Sequence, residues 1–116
     1  MTIDELTEFI DEQDALFRTV KDTHQTERER TFSRTIKMAE EFGELCNEVL
    51  ASVGDQRKEK LDAHDGQSLR DEFADVIITT FLLAKSMRVD VMGALDHKVK
   101  KIREKHNKQL LADRQL

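Results

Sequence analysis

The stretch Lys37-Met38-Ala39-Glu40-Glu41-Phe42-Gly43-Glu44-Leu45-Cys46-Asn47-Glu48 carries two interleaved patterns at helical spacing. Met38, Phe42, Leu45 and Val49 recur at four, three and four residues, which places them on one face of a helix. Glu41, Glu44 and Glu48, with Lys37 one turn earlier, form a second stripe bordering the apolar one. A solvated helix puts its acids opposite its apolar face, so acids crowded along the border ask for another explanation. The run Asp71-Glu72-Phe73-Ala74-Asp75 repeats the feature, with Glu72 and Asp75 three apart on one helical face. Two helices that each offer a pair of carboxylates can build one oxygen-rich cage.

Working outward, the composition is that of an all-α protein. The 116 residues make one domain with a modest core. Proline is absent and there are only four glycines, so little interrupts a helix. Aromatics are 5% and charged residues 37%, with no Trp or Tyr, whereas strands favour aromatic and β-branched residues. A net charge of −5 argues against nucleic-acid binding by phosphate neutralisation. The single cysteine, Cys46, has no partner for an internal disulfide and sits in a helical pattern, which reads as a buried thiol in a cytoplasmic protein. Asp4, Glu5 and Glu8 break any N-terminal signal-like run, and the most apolar stretch, 76–84, is too short to span a bilayer.

The pattern predicts four helices. The first runs from about Ile3 to Lys21 behind a Thr2/Glu5 capping box. A polar connection over 22–30 follows, then a second helix from about Thr31 to Val53, stopped by Gly54. Residues 54–67 read as a polar loop with a short helical turn around Leu61. The third helix starts near Ser68–Asp71 and reaches about Met87; its second half is apolar nearly all round. Asp90 caps a fourth helix showing Leu95, Val99 and Ile102 at helical spacing, with fraying expected over 107–116. The expected architecture is a four-helix bundle-like protomer. A bundle this small cannot surround its third helix, so a dimer or dimer of dimers is expected.

Acids on a helix are usually solvated surface paired with Lys or Arg one turn away. One Glu-x-x-Glu among 24 acidic residues would carry little. Two pairs, each bordering an apolar stripe on its own helix, are better explained by a divalent cation, since clustered unpaired carboxylates in a cleft cost several kcal/mol or take up protons. Magnesium suits such a site because it takes oxygen ligands and is often shared with substrate phosphates.

Lys37-x-x-Glu40-Glu41-x-x-Glu44 followed by Glu72-x-x-Asp75 resembles the EExxE…ExxD signature of the MazG-like all-α nucleotide pyrophosphohydrolases. The likeness covers roughly residues 31–106 and extends loosely to the first helix. The resemblance implies Glu41, Glu44, Glu72 and Asp75 as ligands of Mg2+, with Mn2+ as a substitute. It implies hydrolysis of nucleoside triphosphates, deoxyribonucleotides or non-standard ones, to the monophosphate and pyrophosphate. Glu41 or Glu44, with Glu40 nearby, would orient or deprotonate the attacking water.

Lys37, Lys98 and Lys101 are the candidate phosphate contacts, while Lys105 and Lys108 read as a solvated basic face. Lys37 is equally placed for a salt bridge to Glu41. Similar proteins often carry Asn directly after the second of the helix-four lysines, where this chain has Ile102. Phe17 and Phe32 flank the first connection and can stack a base, although Phe at helical spacing is usually core. His24, His64 and His97 read as surface residues.

Three rivals remain. A di-iron bundle needs Glu-x-x-His on two helices, and none of the four histidines has Glu three residues before it. A non-catalytic dimerisation or adaptor bundle would keep its acids for solubility. Phosphoribosyl-ATP pyrophosphohydrolases share the same Lys-x-x-Glu-Glu-x-x-Glu opening.

Overall fold

In a computed structural model, residues 1–54 and 66–114 are described. Residues 55–65, which hold most of the expected polar loop, its turn around Leu61 and His64, lie outside the described residues, as do 115–116. The described chain is all-helical, with four α-helices and no strand.

Helix α1 (Ile3–Leu16) starts at a complete capping box: Glu5 N donates to Thr2 Oγ1 at 3.1 Å and Thr2 N to Glu5 Oε2 at 3.2 Å. It runs into a π-helical turn, Phe17–Lys21, closed by Asp22 N donating to Phe17 O at 2.8 Å. Helix α2 (Glu27–Ser52) begins one turn before the expected Thr31. Glu27-Arg28-Glu29-Arg30 has no apolar residue for periodicity to register. Thr26 nevertheless caps the helix by accepting from Glu29 N at 3.1 Å, and Glu27 and Glu29 suit its positive end. Beyond Ser52, Gly54 takes φ 87, a left-handed conformation that favours glycine.

Helix α3 (Gly66–Ser86) is followed by Arg88 at φ 56, with Val89 N donating back to Ala84 O at 2.9 Å. Asp90 Oδ1 then accepts from Gly93 N at 3.1 Å at the start of α4 (Val91–Arg114). Helix α4 continues through Asn107 to Arg114.

The heart of the molecule is the long pairing of α2 with α3, and α1 packs across α3. Arg34 meets Leu82 and Ser86, while Glu41 meets Glu72 and Asp75, so α2 and α3 run antiparallel. Among the described residues the buried apolar core is small: Ile10, Ala51 and Leu82. Beside it are four buried charged residues, Asp14, Arg30, Arg34 and Glu41.

The apolar stripe of α2 is not fully covered: Phe42 is 57% exposed, and Val49 is exposed too. Helix α2 turns its Arg34–Glu41–Ala51 stripe toward the interior, which leaves the bordering apolar residues outward in a single chain. Cys46, on that outward side, is exposed and not buried. Among the described residues α4 is not packed along any other helix and has no buried residue, so the four helices do not close into a bundle within one chain. Leu95, Val99 and Ile102 therefore stand exposed. The radius of gyration is 18.9 Å, against about 13 Å for a compact domain of this length.

Candidate metal centre

Glu41 on α2 and Glu72 and Asp75 on α3 each place a carboxylate oxygen within 4.8 Å of the others. Helical spacing explains the α3 pair, since residues three apart stack on one face. Glu41 joins them because it lies on the stripe of α2 that faces α3, where it is 7% exposed. Its Oε1 receives Lys37 Nζ at 3.1 Å, and the same ammonium lies 3.5 Å from the exposed Glu40. The Lys37 ammonium is correspondingly held above its ordinary pKa by Glu41, then Glu40.

One lysine does not satisfy this cluster. Glu41 Oε2 and Glu72 Oε2 are buried and have no hydrogen-bond partner among the described residues. Buried carboxylate oxygens without partners are costly, and a hard cation with oxygen ligands removes that cost. The donor set is all oxygen and drawn from two rigid helices, so it fits magnesium.

Glu44, expected as a fourth ligand, stands outside the trio. It is exposed at the cluster's edge, close enough for its charge and those of Glu41 and Glu72 to act on one another. The negative charge of Glu41, and then its hydrogen bond, pushes the Glu44 carboxyl above its ordinary range. Burial, then the charges of Glu44 and Glu41, raises Glu72; burial, then Glu41, raises Asp75.

The other candidates are not gathered here. Lys98 and Lys101 are exposed on α4. Phe32, His24 and His97 are exposed, whereas Phe17 is half-buried and lines a cavity next to the cluster. That cavity also contains Arg30 and Arg34, which the sequence pattern did not single out. Their signal was present: they are four apart and continue the stripe of Lys37 and Glu41 toward the N-terminus of α2.

A sequence profile of the MazG-like family matches residues 32–112. The chain belongs to the MazG-like family. Among curated proteins and among solved structures, none matches. The MazG-like match contains all three clustered carboxylates and Glu44, and it leaves out α1 and the π-helical turn. Membership in the MazG-like family suggests a function of nucleotide-pyrophosphohydrolase type.

The raised carboxyls fix a sign for the pH dependence of the metal-free protein. Glu44, Glu72 and Asp75 bind protons more tightly folded than unfolded. Their contribution to stability is therefore fully present below the ordinary values of 3.8 and 4.5 and is lost as pH rises through their elevated folded values. Asp14 has the opposite sense. Burial alone would raise it, but Arg34 and Arg18 outweigh burial and lower it, so its contribution is lost only below 3.8. In EDTA, the melting temperature should rise as pH is lowered toward the ordinary carboxyl value of 4.5, and added magnesium should flatten that rise. Thermal melts across this range check it, and a melting temperature that falls with pH would contradict the cluster's electrostatics.

Proposed function

We propose that the protein is a magnesium-dependent nucleoside-triphosphate pyrophosphohydrolase, releasing a nucleoside monophosphate and pyrophosphate. The observation that carries this reading is the convergence of Glu41, Glu72 and Asp75 from two helices, with two of their oxygens buried and unpartnered. Family membership supports the same class.

In this reading Glu41, Glu72 and Asp75 hold the ion, and Glu44 completes the set from the open edge. Bound magnesium supplies charge screening of the phosphate chain, polarisation of a phosphoryl oxygen and a lowered pKa for coordinated water. Glu44, with solvent access beside Glu41, accepts the proton of the attacking water, and Glu40 is the neighbouring alternative. Lys37 holds Glu41 in place through the 3.1 Å contact and can turn to a phosphate oxygen.

The working unit we propose is a homo-oligomer. The accessible surface is 9072 Å², roughly 2,500 Å² more than a compact monomer of this mass shows. That excess is the size of a substantial protein interface, and it includes the apolar residues of α4 and the outward face of α2. A second copy covering those faces also gives Lys98 and Lys101 a route to the substrate.

The test is pyrophosphate release from a panel of ribo- and deoxyribonucleoside triphosphates, with magnesium and with EDTA. Stoichiometric pyrophosphate and monophosphate, formed only with magnesium, is the expected result. No release from any nucleotide would remove this reading, with phosphoribosyl-ATP and then the adaptor role tested next.

A further inference from the structure

Beside the carboxylate cluster lies a cavity of about 260 Å³, walled by Phe17 and Leu82 and lined by Arg30, Ser33, Arg34 and Lys37. Arg30 is 4% exposed and Arg34 8%. Arg30 Nε and Nη1 and Arg34 Nη2 are buried and donate to nothing among the described residues. The guanidiniums belong to a chain of ion pairs. Arg34 Nη1 is 2.8 Å from Asp14 Oδ1, and Arg18 Nε is 2.9 Å from Asp14 Oδ2. Arg18 also pairs with Glu27, and Arg30 Nε lies 3.8 Å from the same Glu27 oxygen.

This chain holds three guanidiniums and two carboxylates. Its two ends, Arg30 and Arg34, both face the cavity and carry the unused donors. Asp22 also lines the cavity, yet only its backbone oxygen receives a guanidinium, Arg30 Nη2 at 3.4 Å. Within the ion-pair chain one positive charge is therefore in excess beside apolar walls, and the exposed Asp22 carboxylate makes no ion pair with it among the described residues; an unbalanced charge there is expensive. A neutral group would accept hydrogen bonds but leave that charge unbalanced. An oxyanion does both, and guanidiniums four residues apart on a helix offer several N–H groups to its oxygens. The volume falls below the roughly 300–1,000 Å³ of sites that enclose whole small molecules, so it fits one group of a ligand.

We propose that this cavity is an oxyanion site for a single phosphoryl group, held by Arg30 and Arg34, with Ser33, whose Oγ accepts from Gln25 Nε2 at 2.9 Å, able to donate its hydroxyl proton beside them. It needs no metal, being formed by groups distinct from Glu41, Glu72 and Asp75. Lys37 lines the cavity while bonding Glu41, and Thr79 lines it one helical turn after Asp75, so the two sites are adjacent. The phosphoryl group is a phosphate of the bound substrate or free inorganic phosphate. The first source rests on the proposed hydrolysis, and the site itself does not.

The experiment is an NMR titration of the full chain with inorganic phosphate in EDTA, following the Arg Nε–Hε signals. Saturable shifts at Arg30 and Arg34, with Kd in the millimolar range, are expected for the parent. Glu72→Gln should bind phosphate at least as well, whereas Arg30→Gln should bind at least about 10-fold more weakly. Should Arg30→Gln fail to fold, Arg30→Lys, which keeps the charge and loses the planar fork, should show weakened binding. No saturable phosphate binding in the parent, or parental affinity in the folded Arg30 variants, overturns the proposal. Kinetics then separate the sources: a raised KM for triphosphate in the Arg30 variant identifies a substrate phosphate. An unchanged KM with lost inhibition by phosphate identifies the free ion. A protein that binds phosphate in EDTA but hydrolyses nothing keeps this site while removing the proposed reaction.

Discussion

Glu72→Gln should lower magnesium-dependent pyrophosphate release at least about 100-fold while raising the melting temperature of the metal-free protein. The magnitude follows from position. Groups that merely orient metal ligands are worth about 10–100-fold, so an oxygen within the cluster should be worth no less. The sign of the stability change follows from the repulsion that burial, Glu44 and Glu41 impose on Glu72. An amide of the same shape removes one negative charge from that set. Glu41→Gln should likewise lose activity, with its stability effect tempered by the lost pair to Lys37 at 3.1 Å. Steady-state kinetics and thermal melts in EDTA check both variants. An ordinary structural acid would show the reverse, keeping activity and losing stability.

Asp14→Ala should be the most damaging change outside the carboxylate cluster. Asp14 is buried between Arg34 at 2.8 Å and Arg18 at 2.9 Å. Its removal leaves two guanidiniums without their shared counter-ion, one of them buried, and breaking such a pair costs about 3–5 kcal/mol. For a domain of this size that lowers the melting temperature by roughly 10–20 °C. Asp14→Asn, which keeps an acceptor without the charge, should fall between the parent and Asp14→Ala. Asp11→Ala is the control: its 2.8 Å pair with Lys85 is solvent-exposed and should be nearly neutral. Equal effects of the Asp11 and Asp14 changes in urea and thermal melts would contradict this account of how α1 is held to α2.

Much of this arrangement is legible in the sequence because helices convert spacing into geometry. The bordering stripe of acids at 41, 44 and 48 and the pair at 72 and 75 locate the cluster before any coordinates. The capping pattern at Thr2 and Glu5 marks the start of α1 for the same reason. What periodicity cannot register is a helical turn with no apolar residue, so the true start of α2 in Glu27-Arg28-Glu29-Arg30 looks like connection in the sequence. The ion-pair chain was missed because its members come from α1, the π-helical turn and α2, and no spacing rule links them. A lone cysteine inside a helical pattern reads as buried, yet spacing alone does not say which face of α2 meets α3, and Cys46 stands exposed. In the single chain, α2 instead turns its charged stripe toward α3, and Phe42 and Cys46 stand exposed on the surface beyond. Helix α4 shows the same limit: its apolar spacing was visible, but whether this chain or a second copy covers it is not written in local sequence.

Carboxylates from α2 and α3 should together form one divalent-cation site. Manganese binding followed by electron paramagnetic resonance, on the parent, Glu41→Gln and Glu72→Gln, tests it most directly because it needs no substrate. Saturable binding in the parent, weakened at least about 10-fold by either substitution and competed by magnesium, is the predicted result. Manganese that binds the folded variants as tightly as the parent, or not at all to the parent, would contradict it.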